Sequence, residues 1–522
     1  MIANCKKYLE LLYKSRSKPL LDQKELVADI SRRGFLRQII DITLFGAMAH
    51  TCCALPSEYS KFLPDLGDSD RANLSPSDAN FLGQQIISDI SAQGDMLQDY
   101  DFSDYINNLG DNLVSYSPLS MQAFNFYGLK GKEINAFALP GGYICIYNGL
   151  VYTAQSEAEL ASVVSHEIGH IVQHHIFRNI AIYNRNQWLS LAGILAGALL
   201  APINPGAAII AANGGQGLAV QNILSFSRDF EREADRVGQG IMYNADFDPH
   251  AMPQFFARMA EVNRFNNNEA LAFLQTHPVN SERISEAQER ANQLPVKMRA
   301  DSLSFLIIRE KCRTRQLGPS SALNFYQQAI KTKRYNNINT QYYGIAFAYL
   351  GNNNPIATLA YLHKITDSHL INHPAYFSLK ALAYSASKSF SEARRVYEQG
   401  LSAYPDYKGL WIGQVDMEIR AKELKQAAKY LLGLAQQYPN DLDIWSRTAY
   451  IYADSNLNNP YRYYYALGNQ LYIRNDYKGA LEKYKLAINV AKKNDSDTLD
   501  DIISSKIIDL QERIKFNARY GG

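Results

Sequence analysis

The spacing of apolar residues changes along this chain of 522 residues. Between about Asp78 and Ser117 the apolar residues recur at helical intervals, which predicts helices that pack against a core. From Tyr143 to Tyr147, aromatic and β-branched residues follow a Pro-Gly-Gly turn, and this pattern predicts a hairpin or an edge strand. An apolar, helix-compatible run then begins at Glu157. The first part of the chain is therefore expected to be mainly helical with a small β element.

From about residue 300 the pattern acquires a period of 34 residues. Tyr404-Pro405 and Tyr438-Pro439 are 34 residues apart, and so are Trp411 and Trp445. This period, with small, aromatic and proline positions in that order, is typical of tetratricopeptide repeats. Each repeat is a helix pair whose apolar face is buried by its neighbours. We predict an α-helical tetratricopeptide-repeat solenoid over 300–522, and a helical bundle with accidental spacing is the alternative.

The N-terminal segment has the features of a processing signal. The residues Ser31-Arg32-Arg33-Gly34-Phe35-Leu36 resemble a twin-arginine export motif. A moderately apolar run from Gln38 follows and ends in the Ala-x-Ala pattern at Ala49, which predicts cleavage before His50. Asp41 inside the apolar run counts against this interpretation, and an amphipathic helix of a cytoplasmic protein is the alternative. We predict an export signal over 1–49 and therefore a protein that leaves the cytoplasm.

Composition narrows the possible functions. The formal net charge is only +2, and we find no Lys/Arg stripe and no Gly-rich phosphate loop, so nothing indicates nucleic acid as a partner. The five cysteines are scattered without a C-x-x-C motif, so no disulfide framework can be argued. A lipid anchor would require Cys52 or Cys53. The length predicts two or three domains.

The strongest chemical motif is His166-Glu167-Ile168-Gly169-His170. Two histidines at positions i and i+4 share one helix face, where a single Zn²⁺ can reach both. Glu167 projects beside such a metal and could take a proton from a bound water. The alternative is a histidine pair on the surface of an ordinary helix. The apolar neighbours argue against that alternative, because a buried histidine pair needs a partner.

A second motif offers the third ligand. Glu231 and Asp235 are four residues apart and share a helix face. Glu231 could complete a His₂Glu site with the fourth position left for water. Asp235 could accept a hydrogen bond from a ligand histidine and fix its tautomer. Glu233 is the rival ligand, and a solvated helix face with local ion pairs is the alternative for the whole motif.

These motifs together resemble the M48 metallopeptidases. The resemblance rests on H-E-x-x-H, on E-x-x-x-D preceded by Phe-Ser-Arg, and on the segment from Asn135 to Ile144. It implies a zincin-like metallopeptidase domain over 50–299 that binds one Zn²⁺ per subunit. It further implies the following roles: metal ligands His166, His170 and Glu231, and catalytic residues Glu167 and Asp235.

A later segment, from Thr276 to Arg283, is similar to the T-H-P-x-x-x-x-R segment of periplasmic M48 members. The resemblance implies that His277 is a gating ligand that approaches the zinc in the resting enzyme. It also implies that Arg283 is an active-site arginine able to steady an oxyanion. The alternative for His277 is a turn residue before Pro278. The pair His174 and His175 is expected to lie at the surface or to serve packing.

Residues 186–227 form an uncharged segment between the two motifs. Its apolar stretch from Trp188 to Ala201 is shorter than the ~20 residues that span a bilayer, and Pro202 and Pro205 interrupt it. We expect a buried or partly exposed helical hairpin. Its position between the motifs suggests a lid, and contact with a membrane surface is an alternative.

The order of the parts also resembles periplasmic M48 members with C-terminal repeats. The resemblance implies a zinc-dependent endopeptidase that acts on unfolded or misassembled outer-membrane proteins and has a chaperone-like role. It also implies contact with the barrel-assembly machinery through the repeats. The alternative is a chaperone or adaptor whose repeats bind partner proteins and whose zinc is mainly structural. Glu167 favours the endopeptidase, because a structural zinc site has no need of a general base.

Overall fold

A computed structural model describes residues 76–180, 226–264, 271–454, 457, 459–491 and 500–520. The predicted export signal over 1–49 lies outside these residues, as do residues 186–225 of the uncharged segment. The described chain is mainly α-helical with one three-stranded sheet, which confirms the predicted fold class. Among the described helices, none combines the length and the apolar character that crossing a bilayer requires.

The elements before residue 300 are, in chain order, α1 Pro76–Ala92, α2 Tyr100–Ser115, β1 Asn125–Leu129, β2 Ala136–Leu139, β3 Tyr143–Tyr147, α3 Asn148–Thr153, α4 Glu157–Val172, α5 His175–Ile180, α6 Arg228–Asn244, α7 Ala251–Arg264, α8 Leu271–Thr276 and α9 Ser281–Asn292. The elements after it are α10 Leu303–Leu317, α11 Pro319–Lys331, α12 Ile338–Gly351, α13 Pro355–Leu362, α14 Ser368–Ile371, α15 Pro374–Ala386, α16 Phe390–Ala403, α17 Lys408–Arg420, α18 Leu424–Gln437, α19 Leu442–Tyr452, α20 Pro460–Ile473, α21 Tyr477–Ala491 and α22 Asp500–Tyr520.

The sheet has the strand order β1-β3-β2. β3 runs parallel to β1 and antiparallel to β2, with Ile144 opposite Phe126 on one side and Ala138 on the other. The predicted hairpin is therefore present as β2 and β3, joined through the Pro-Gly-Gly turn. All five residues of β3 are buried, as expected for a central strand with aromatic and β-branched side chains. β2 is an edge strand of this sheet and packs on α4.

α4 and α6 pack closely because glycines face the partner helix. A Cβ added at Gly169 would lie 2.8 Å from the carbonyl oxygen of Ala234, and one at Gly238 would lie 2.8 Å from the backbone nitrogen of His166. α4 begins at a Ser156 cap whose side chain accepts a hydrogen bond from the backbone N–H of Glu159. This packing brings the two sequence motifs face to face.

The later helices repeat with the predicted period. Helices α15, α17 and α19 begin at Pro374, Lys408 and Leu442, each 34 residues after the one before. The indole N–H of Trp411 donates to the carbonyl of Pro405 at 2.7 Å, and that of Trp445 donates to Pro439 at 2.8 Å. A helical region with recurring contacts thus follows the first part of the chain. Its assignment to the tetratricopeptide class and its boundary at 300 stay predictions.

A buried cluster of charges joins the two parts of the chain. The ammonium of Lys311 on α10 lies 2.7 Å from an oxygen of Asp99 and 2.6 Å from an oxygen of Asp101. Arg315 also pairs with Asp99, and the hydroxyl of Tyr407 on the loop before α17 donates to Asp101 at 2.6 Å. Burial alone would raise the pKa of Asp99, but Lys311 and Arg315 hold it well below its usual value. The described residues from 76 onward belong to one compact unit.

Candidate metal centre between two helices

The two motif histidines lie on the buried face of α4. His166 is 1% exposed and His170 is fully buried. Their Nε2 atoms are 3.0 Å apart, because positions i and i+4 stack one turn above the other. The apolar residues that flank the motif bury this face, as the sequence predicted.

α6 presents Glu231 to both histidines. One carboxylate oxygen of Glu231 lies 3.4 Å from His166 Nε2 and the other lies 3.3 Å from His170 Nε2. The side chain of Ser227 caps α6 by accepting from the backbone N–H of Phe230, which fixes the first turn in which Glu231 lies. The rival carboxylate, Glu233, turns away and contacts His175 and Arg178 instead.

The spacing of these atoms fits one metal ion. A tetrahedral zinc with bonds of about 2.0–2.1 Å separates its ligand atoms by about 3.3 Å. The three separations among His166 Nε2, His170 Nε2 and the Glu231 oxygens are 3.0, 3.4 and 3.3 Å. Both imidazoles use Nδ1 for other contacts, so two Nε2 lone pairs face each other unless a cation or a proton lies between them. The residues present therefore fit a bound metal.

The charges of the site also call for a cation. Burial alone would lower the pKa of His166, but the carboxylates of Glu231 and Asp235 raise it to about 10. Burial lowers the pKa of His170 to about 3 despite the nearby Glu231. The pKa of Glu231 is held well below its usual value, against the effect of burial, by His277, Arg283 and His166. The carboxylates thus stabilise positive charge at His166, whereas His170 stays neutral and can offer a lone pair.

Glu167 borders this cluster as a buried carboxyl group. It is fully buried, and one of its oxygens lies 3.4 Å from His277 Nε2. Burial raises the pKa of Glu167, which His277 and His166 partly offset. The backbone of Ala138 in β2 also acts to lower this pKa, so the edge strand reaches the site. Glu167 lies beside the candidate metal ligands without belonging to the four-residue group that could hold an ion.

Asp235 and Arg283 form a layer behind the ligands. Asp235 lies 2.9 Å from His166 Nδ1. The guanidinium of Arg283 donates twice to Asp235, each at 2.8 Å, and its third nitrogen lies 2.7 Å from Glu231. That nitrogen also donates to the carbonyl of Pro278 at 2.7 Å. Arg283 therefore connects two carboxylates, and all three of its side-chain nitrogens have partners.

His277 lies inside the cluster. Its Nδ1 is 3.2 Å from His166 Nε2 and 3.1 Å from a Glu231 oxygen. The side chain is 1% exposed, and His277, His166, His170 and Glu231 together form a group whose ligand atoms lie within 4.8 Å of one another. A simple turn residue before Pro278 would have no reason to be buried against three candidate metal ligands.

Sequence reasoning missed His175. It was expected at the surface or in packing, yet it is fully buried and its Nδ1 lies 2.9 Å from His170 Nδ1. α4 ends at Val172 and His174 has a φ of 54°, so His175 does not continue the helix of the motif. The available signal was weak: a further histidine beyond the motif, and Glu233 left over on the facing helix.

Comparison with known proteins first gives the class. Residues 103–291 match the sequence profile described as Peptidase family M48. This span contains both motifs and the segment around His277. This part of the chain is similar to the M48 peptidases.

Individual relatives are similar over part of the chain. The chain is 34% identical over 271 residues to the putative beta-barrel assembly-enhancing protease of Vibrio cholerae, covering 52% of this chain and 56% of the relative. It is 34% identical over 232 residues to the beta-barrel assembly-enhancing protease of Escherichia coli K12, covering 44% and 47%. It is 30% identical over 201 residues to the mitochondrial metalloendopeptidase OMA1 of Schizosaccharomyces pombe, covering 37% and 54%. The chain spans about half the length of the curated relatives it matches.

Proposed function

We propose that this protein is a zinc-dependent endopeptidase. The observation that carries the proposal is the cluster of His166 Nε2, His170 Nε2 and Glu231, whose separations of 3.0–3.4 Å suit one tetrahedral ion. Two imidazoles and a carboxylate are a donor set that zinc peptidases use, with a fourth position for water. Bound zinc would lower the pKa of that water and polarise the scissile carbonyl.

Glu167 is the general base in this proposal. It accepts a proton from the attacking water and delivers it to the leaving amine. Its burial raises its pKa, which makes the carboxylate a stronger base in the first step and lets it hold the proton for the second. Because it lies beside the ligand cluster, it is free for proton transfer.

Asp235 and Arg283 position the ligands. Asp235 accepts a hydrogen bond from the Nδ1–H of His166, which leaves the Nε2 lone pair for the metal. Arg283 holds Asp235 and Glu231 in place through its paired contacts. Its donors are already bonded to these carboxylates and to Pro278, so we favour this positioning role over stabilisation of an oxyanion.

His277 is proposed to gate the metal. Its Nδ1 lies as near to His166 Nε2 as a fourth ligand would, at 3.2 Å. Imidazole in that position competes with the water that the reaction needs. Substrate binding would have to displace His277, which lies at the junction between α8 and the turn before α9.

We further propose a periplasmic location and unfolded or misassembled outer-membrane proteins as substrates. The names of the bacterial relatives and the repeating helices support this view, and the repeats would contact the barrel-assembly machinery. β2 pairs with β3 alone among the described strands, so its other edge could accept an extended substrate segment.

Cleavage of an unfolded outer-membrane β-barrel protein tests the proposal. We expect wild type to cleave it and Glu167→Gln to keep zinc while losing about 10²–10⁴-fold in rate, because the proton acceptor is gone. Glu282→Gln, an exposed position on α9, is the matched control and should cleave normally.

Cleavage by Glu167→Gln at the wild-type rate would contradict the mechanism. The alternative of a chaperone or adaptor with structural zinc predicts a different result. In that case neither protein cleaves, and both suppress aggregation of the substrate equally.

A further inference from the structure

His175 and Glu233 form a chain of contacts that ends on a candidate metal ligand. His175 Nε2 lies 2.9 Å from a Glu233 oxygen, and His175 Nδ1 lies 2.9 Å from His170 Nδ1. Arg178 donates to the same Glu233 oxygen at 3.0 Å. The imidazole of His175 is fully buried, while Glu233 is 27% exposed at the rim.

A break in the helix creates this contact. An α-helix turns about 100° per residue, so a residue five positions after His170 would point about 140° away from it in a continuous helix. α4 instead ends at Val172, and His174 takes a left-handed φ of 54°. The chain restarts as α5 at His175, which places this imidazole against His170.

Aromatic rings hold both imidazoles in orientation. Phe226 stacks on His170 with ring centroids 4.0 Å apart, and Phe230 stacks on His175 at 4.4 Å with an interplanar angle of 3°. Arg178 covers the Phe230 ring at 4.0 Å. The two histidines therefore cannot rotate away from each other without breaking these stacks.

The protons in this chain follow from the chemistry of its groups. A carboxylate only accepts, so His175 Nε2 carries the hydrogen that faces Glu233. A neutral imidazole has one N–H, which leaves His175 Nδ1 as an acceptor. His170 Nδ1 must then be the donor. The lone pair of His170 consequently lies on Nε2, the atom 3.3 Å from Glu231.

We propose that His175 and Glu233 are positioning residues that fix His170 in the tautomer presenting Nε2 to the metal. This inference rests on the proposed zinc site and deepens it. Asp235 fixes the tautomer of His166 by direct contact, whereas Glu233 fixes that of His170 through the imidazole of His175. The two ligand histidines thus have separate supports on the same helix α6.

We call the contacts from Glu233 through His175 to His170 the relay. Zinc affinity, measured by competition with a chelator, tests it. His175→Phe keeps a flat ring against Phe230 but removes the acceptor for His170. We expect zinc to bind about 10–100-fold more weakly. His175→Asn returns an acceptor near the Nδ1 position and should recover most of the affinity. Glu233→Gln should weaken binding by about tenfold, at the low end of the same range. Asp229→Asn, on the exposed start of α6, is the control without effect.

The outcomes separate this inference from the proposed function. The absorption spectrum of the Co²⁺-substituted protein, which reports ligand geometry, should change in His175→Phe and return in His175→Asn. Two results would overturn the relay and leave the proposed endopeptidase intact. One is an equal loss of zinc affinity in His175→Phe and His175→Asn. The other is a zinc affinity of His175→Phe within about twofold of wild type. Failure of wild type to bind zinc would overturn both. Should His175→Phe not fold, unchanged affinity in Glu233→Gln alone would refute the relay.

Discussion

The M48-like region and the helical region after it bury different kinds of residue. Between α4 and α6 the buried groups include three carboxylates, Glu167, Glu231 and Asp235. In the later helices the buried residues are mostly apolar, and small residues pack against aromatic ones, as Gly413 does against Tyr397. Charge and hydrogen bonds thus determine where the buried side chains lie in the first region, and side-chain volume determines it in the second. Removal of a charge should disturb the first, and addition of a methyl group should disturb the second.

The largest expected effect on stability lies at the junction between the two regions, where Lys311 contacts Asp99 and Asp101. Like the first region, this junction buries charged groups. Lys311→Met leaves Asp99 and Asp101 buried without their ammonium partner. We expect a loss of about 3–5 kcal/mol in the free energy of unfolding, measured by chemical denaturation. The control Lys429→Met, at an exposed position on α18, should change it by less than about 0.5 kcal/mol. Equal losses in both variants would show that the junction does not depend on charge.

The pH dependence of the same cluster sharpens this comparison. The pKa of Asp99 is lowered by Lys311 and Arg315 in spite of burial, so its charge stabilises the fold above the unfolded value of about 3.9. That contribution is lost as the pH falls from there through the folded pKa. The stability gap between wild type and Asp99→Asn should therefore be full near neutral pH and shrink below about pH 4. A gap that stays constant in acid would contradict the assignment.

A smaller effect is expected where volume matters. A Cβ added at Gly413 would lie 2.6 Å from the hydroxyl of Tyr397, so Gly413→Ala should destabilise by about 1–3 kcal/mol through overpacking. At Gly433, on the next helix, an added Cβ meets no atom of the described residues within 4 Å. Gly433→Ala should stabilise by about 0.5–1 kcal/mol. Thermal unfolding distinguishes the two, and similar shifts would argue against tight packing at Gly413.

The last predicted effect concerns the proposed gate, His277. His277→Ala should raise peptidase activity by up to about tenfold, equivalent to ~1.4 kcal/mol, because Nδ1 leaves the position beside His166 that water needs. Zinc content should stay at the wild-type level. His369→Ala, exposed in the later helices, is the control. Unchanged or lower activity of His277→Ala with full zinc would remove the gating role.

Local spacing made part of this architecture predictable. His166 and His170 share a helix face because they are four residues apart, and the same rule paired Glu231 with Asp235. The period of 34 residues reappears in the starts of the later helices, because each repeat packs in the same way as the next. These predictions needed only the geometry of a single helix or a single repeat.

Contacts that depend on chain breaks or on distant partners were not predictable. The position of His175 follows from the left-handed backbone conformation of His174. No periodic pattern in the sequence predicts that conformation. The pairing of Lys311 with Asp99 joins residues 212 positions apart. Spacing left Glu233 as a rival of Glu231, and the packing of α6 on α4 shows that Glu233 contacts His175 and Arg178 instead of the two motif histidines. Such features arise from packing between elements, which spacing along one element does not encode.

Zinc content tests the central claim most directly. Wild type, Glu231→Ala and the control Asp229→Ala would be purified with excess zinc, dialysed, and measured for metal per chain. One zinc per chain in wild type and in Asp229→Ala, together with loss of zinc in Glu231→Ala, is the result expected if Glu231 closes the site with His166 and His170. Full occupancy in Glu231→Ala would contradict this account and move the third ligand elsewhere.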